Sequence, residues 1–70
     1  MKGILIRGFE TGELLEMIYM AKDNAISQRK IKILQINNTY IRAYCYLKNQ
    51  IRIFKLENIL SVSPTIKRGA

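Results

Sequence analysis

The sequence predicts an all-β domain, either a small barrel or a sandwich. Strand-like segments recur at intervals of roughly ten residues, with turn-forming residues between them. The stretch Thr39 to Leu47 alternates strictly: Thr39, Ile41, Ala43, Cys45 and Leu47 on one face, Tyr40, Arg42, Tyr44 and Tyr46 on the other. The first face suits a core. The second is a row of rings interleaved with positive charge. With 70 residues the chain makes one domain with a small core. We place that domain at residues 1–64 and a basic C-terminal tail at residues 65–70.

The elements follow in order. Ile4 to Ile6 is a candidate fifth strand, and one helical turn fits before Glu13. Glu13 to Ala21 is apolar at Leu14, Leu15, Met17, Ile18 and Met20. It has a competing helical reading, with Thr11 as cap and Leu14, Leu15 and Ile18 on one helical face. Hairpin logic through Asp23-Asn24 favours the strand, because Asp and Asn tolerate a left-handed backbone. Ile26 to Ile36 is the next strand. Its apolar face switches near Ile33-Leu34, which predicts a β-bulge or a sharp bend of the kind that turns barrel corners. Asn37-Asn38 turns the chain into the Tyr40 strand.

Lys48-Asn-Gln50 then leads to a strand from Ile51 to Leu56. A three-residue loop would pair Tyr46 with Arg52 and Tyr44 with Phe54. That register is preferred, because it sets Arg52 on the aromatic face and sends Ile51 and Ile53 inward. A two-residue loop would put Arg52 on the Cys45 side, since one residue of slip reverses every side chain. Pro64 ends the last strand, having no N–H to donate. Ile31, Ile41, Ala43, Cys45 and Ile59 are the expected core.

Composition removes several function classes. Twelve basic and five acidic residues give a net charge of +7, and from Arg29 onward nine basic residues face only Glu57. Such a balance favours anionic partners. The chain has no histidine and a single cysteine, so neither a Cys-His nucleophile nor the usual zinc ligand set can form. Glu13 and Glu16 fall on opposite strand faces, against a paired-carboxylate acid–base site. Gly3, Gly8 and Gly12 are too far apart for a phosphate loop and fit turns instead. The chain is therefore expected to be no enzyme and to use no cofactor or metal. No apolar run approaches a membrane span, and the lone Cys45 fits a reducing compartment, so a cytoplasmic protein is expected.

Ile18-Tyr19, Arg29-Lys-Ile31, Thr39-Tyr-Ile-Arg-Ala-Tyr-Cys45, Arg52-Ile-Phe-Lys-Leu56 and Ile59 together resemble the WYL domain of bacteria and phages, over Leu14 to Val62. The last two blocks carry the specificity through their order and spacing. The signature Trp-Tyr-Leu is here Thr39-Tyr40-Ile41, Asn58 replaces the arginine usual before the final isoleucine, and Ile33 stands at the usual proline.

The resemblance implies an SH3-like or Sm-like five-stranded barrel that senses a ligand, a nucleotide or nucleic acid, in a transcription-regulating context. With no room for a helix-turn-helix, a stand-alone module is expected. Tyr40 and Arg52 match the motif as ligand contacts, with Arg29 as a further match. The strand alternation adds Arg42 and Tyr44. Basic groups neutralise phosphate and tyrosine rings stack on bases. The expected partner is a nucleotide or single-stranded nucleic acid. The alternative is a protein-interaction or self-association module using a barrel edge strand.

Overall fold

The computed structural model describes residues 2–65. Its elements are α1 (Lys2–Thr11), β1 (Leu15–Met20), β2 (Ile26–Ile36), β3 (Tyr40–Cys45), β4 (Gln50–Lys55), a short 3-10 turn (Leu56–Asn58) and β5 (Ile59–Pro64). The five strands form one antiparallel sheet in the order β4-β3-β2-β1-β5. The mostly-β class is as expected. The closed barrel is not found among the described residues: β4 and β5 are the two ends of an open sheet.

The N-terminus departs from expectation. Ile4 to Ile6 belongs to a ten-residue helix, neither a strand nor a single turn. A short apolar triplet cannot by itself distinguish a strand from a buried helix segment. Packing decides here: Leu5 joins the core, Ile4 packs against it, and Gly8, one turn on, touches Leu15. A Cβ at Gly8 would lie 2.7 Å from Leu15 Cδ1, so this glycine serves close helix–sheet approach and not a turn. Gly12 does serve a turn. It adopts φ +72° and its N–H closes on Gly8 O at 2.8 Å, the left-handed stop of α1. Thr11 therefore ends one helix and does not cap another; Leu15–Met20 is a strand.

β2 makes the sheet bend. Its first half pairs with β1 and its second half with β3, and only Ile31 pairs with both. The row Leu15–Ile31–Cys45 thus crosses three strands and is fully buried. Beyond it, Ile33 pairs with Ala43 and Gln35 with Arg42, leaving Leu34 as the extra residue of a bulge. The predicted face switch is this bulge, and it returns Ile36 to the core side opposite Ile41. The bend brings β1 over to β4: Tyr19 meets Phe54 edge-on at 5.0 Å and accepts the Lys55 backbone N–H at 3.1 Å.

The expected core residues Ile31, Ile41, Ala43, Cys45 and Ile59 are all buried, with Leu5, Leu15, Met17, Ile33, Phe54 and Val62. The first two forecast turns form. Asp23 Oδ1 accepts the Ala25 N–H and Asn24 takes φ 66°, while Asn37 Oδ1 accepts the N–H groups of Thr39 and Tyr40. Pro64 is the last residue of β5. Thr65 is tied to Leu14 O through its N–H and its hydroxyl; the rest of the proposed basic tail, 66–70, lies outside the described residues. Within 2–65, no helix is long and apolar enough to cross a membrane.

The β3–β4 register is the main correction. Cys45 pairs with Gln50, Ala43 with Arg52 and Ile41 with Phe54, across a four-residue connection from Tyr46 to Asn49. Asn49 at φ 55° supplies the left-handed residue such a loop uses. Neither shorter loop occurs. Phe54 goes inward and is 2% exposed, whereas Ile51 and Ile53 go outward at 49% and 58%. Phe54 fills the gap opposite Tyr19, and two smaller isoleucines offset by one position could not reach that ring.

Candidate ligand-binding site

Arg29 sits on the inner face of β2, opposite Met17. The alternation that buries Ile31 and Ile33 also turns Arg29 inward, where it is half-buried. Its guanidinium is held in place. Nε donates to Ser27 Oγ at 3.0 Å, Nη1 donates to Cys45 Sγ at 3.5 Å, and Cζ lies 5.8 Å from the Phe54 ring centroid. That distance is within cation–π reach.

Arg52 comes from β4 to the same side. The four-residue loop sets it opposite Ala43, on the inner face and away from the tyrosines. Between β4 and the end of β1 lies a groove of about 340 Å³. Tyr19, Ala21 and Lys22 line it from the β1 side and Arg29 from β2. Arg52, Ile53, Phe54 and Lys55 line it from β4, and Asn58 from the 3-10 turn. Four cations thus meet in one groove whose lining holds no carboxylate. The volume falls within the range of small-ligand pockets, roughly 300–1,000 Å³. Phe54 is too buried to offer a stacking surface, so it and Tyr19 act as walls. Recognition therefore falls to the guanidinium groups, whose planar donors match phosphate oxygens in pairs.

Cys45 lies beneath this groove. Burial, the largest influence on its thiol, raises the pKa. Hydrogen bonds from the Lys48 backbone, the Arg29 side chain and the Leu47 backbone, with the Arg29 charge, outweigh it and hold the thiol below its ordinary value. Among the described residues no group of three or more His, Cys, Asp or Glu gathers to hold a metal ion.

The five sequence-predicted site residues do not form one patch. Arg29 and Arg52 meet in the groove; Tyr40, Arg42 and Tyr44 lie on the outer face. There Tyr44 packs edge-on against Tyr46 at 4.8 Å and pairs with Lys32 and Ile51, and Arg42 pairs with Ile53. Arg42 is exposed, whereas Tyr40 and Tyr44 are half-buried. The expectation that Arg52 joins this face is overturned by the register. Sequence reasoning about the site missed Tyr19, Lys22, Phe54, Lys55 and Asn58. Tyr19 and Phe54 both stood in the motif blocks, but only the bend of β2 shows that they meet.

A scan against protein-family models and a search of curated proteins each find no match. Among solved structures, the chain is similar to proteasome accessory factor B/C (PafBC) of Arthrobacter aurescens, at 22% identity and a TM-score of 0.82. The match covers 94% of this chain and 11% of that one, so this chain spans about a tenth of its neighbour. At that identity the likeness is one of fold.

Proposed function

We propose that this chain is a WYL-like, non-enzymatic sensing module of the cytoplasm that binds a nucleotide or single-stranded nucleic acid. The observation that carries this reading is the groove with Lys22, Arg29, Arg52 and Lys55 around it and no carboxylate in its lining. Burying part of Arg29 against neutral Ser27 and Cys45 costs desolvation, and an arriving phosphate offsets that cost. The motif blocks support the WYL-like assignment, and the fold shared with a stretch of PafBC is consistent with it. A regulatory role follows from the same assignment. The free, buried Cys45 fits a reducing compartment.

The two basic surfaces divide the ligand classes. A mononucleotide fits the groove and meets Lys22, Arg29, Arg52 and Lys55 without reaching the outer face. A strand that passes around β4 also reaches Arg42 and the Tyr44–Tyr46 pair, where each stacked base is worth about 1–3 kcal/mol. The test is a binding series of mononucleotides and single-stranded oligonucleotides at increasing salt, followed by NMR shifts. Affinity should fall steeply with salt, through counterion release, and the slope should steepen with oligonucleotide length. Salt-independent shifts, or none with any member of the series, would refute the reading.

A further inference from the structure

The two edges of the sheet are built differently. β5 carries both common devices that blunt an edge: a bulge, with Leu60 extra against β1, and a terminal proline, Pro64. β4 has neither. Its six residues pair with β3 in unbroken register, and no described strand lies on its other side.

The free edge can be located residue by residue. In an antiparallel ladder a residue either exchanges both its N–H and C=O with the one opposite, or neither, in alternation. The Lys55 N–H points away from β3, to Tyr19 Oη. Two and four residues earlier, Ile53 and Ile51 therefore also direct their N–H and C=O outward, along the open edge. Their side chains are among the more exposed large apolar groups of the molecule, both on the outer face. Between them Arg52 projects to the inner face, and β4 holds no acid.

We propose that this edge accepts an extended peptide of alternating apolar and acidic residues as a sixth strand. Main-chain hydrogen bonds would form at Ile51 and Ile53. The peptide's apolar side chains would cover those two isoleucines, and its carboxylates would face Arg52 on the other side of the pleat. Charge selects this occupant. A second copy brings the same cationic β4 and a net charge of +7, so like charges oppose self-pairing. An acidic segment meets the opposite condition. The site is independent of the nucleotide reading except that Arg52 and Ile53 border both.

The test is a capped hexapeptide of alternating glutamate and valine, titrated into the full chain and followed by amide NMR shifts. Shifts are expected at Ile51, Arg52 and Ile53, with at least tenfold weaker binding of the lysine–valine counterpart. Ile53→Pro removes an N–H that the ladder does not use, so it should keep the dispersed spectrum and lose the peptide at least tenfold. Should that variant unfold, Ile51→Glu, at an exposed position, decides instead through a loss of about fivefold or more. Shifts confined to Arg29 and Lys22, or undiminished binding by the folded variant, would overturn the proposal. So would a wild-type dimer in sedimentation that the peptide leaves intact, because a second copy would then own the edge.

Discussion

The groove around Arg29 and Arg52 and the outer face around Arg42 and Tyr44 draw on the same residue types, yet the first lines a cavity of about 340 Å³ and the second is an open strand face. Both hold arginine beside an aromatic ring. In the groove Arg29 is clamped by Ser27, Cys45 and Phe54, so its orientation is set before any ligand arrives. On the outer face Arg42 is exposed, free to sample rotamers, and flanked by Ile53. Ordering a long side chain costs up to about 2 kcal/mol, and the clamped arginine has already met part of that cost in folding. Residue type alone therefore does not make a site; the bend of β2 and the register of β4 do.

The largest expected effect tests that register. Phe54→Ala empties an inward position and should cost about 3–5 kcal/mol of stability, whereas Ile53→Ala, on the exposed face, should cost less than about 1 kcal/mol. Denaturant melts of both variants check this. A reversed order would restore the three-residue loop and move Arg52 to the tyrosines.

Arg52→Ala should weaken a mononucleotide about tenfold, as expected for losing a hydrogen bond to a charged group, with the fold intact. Arg42→Ala should leave the mononucleotide unaffected and weaken only oligonucleotides. Equal effects on both ligand classes would dissolve the distinction between the two surfaces.

Two smaller effects concern Cys45. It is fully buried, so a thiol reagent should label it slowly in the native protein and rapidly after denaturation, as a mass-shift time course would show. Its pKa is lowered on folding, so the thiolate contributes stability that is fully present above the ordinary thiol value of about 8.5 and is lost as pH falls through the folded value. The melting temperature should therefore rise modestly from neutral pH toward pH ~9, relative to Cys45→Ala. A flat difference between the two proteins across that window would show that Arg29 does not hold the thiolate.

The sequence made some of this legible and hid the rest for physical reasons. The faces of β3, the bulge at Leu34 and the two Asx-type turns could be read because each depends on local alternation or on one side chain's own hydrogen bonds. The N-terminal helix could not, because Ile4-Leu-Ile suits either element and only contact with Leu15 chooses. The register of β4 hung on one left-handed residue, Asn49, and on a ring that had to meet Tyr19 from a distant strand. Arg29 and Arg52 were both named from motif matches, yet their meeting depends on a long-range fold. Lys22 and Lys55 carried no local signal at all beyond charge.

The most direct measurement is an amide-resolved NMR titration of the wild-type chain with a mononucleotide at low salt, repeated at high salt. Shifts are expected at Lys22, Arg29, Arg52 and Lys55, with silence at Arg42 and Tyr44 and loss of the effect as salt rises. Shifts centred on Tyr40, Arg42 and Tyr44, with the groove silent, would contradict binding in the groove.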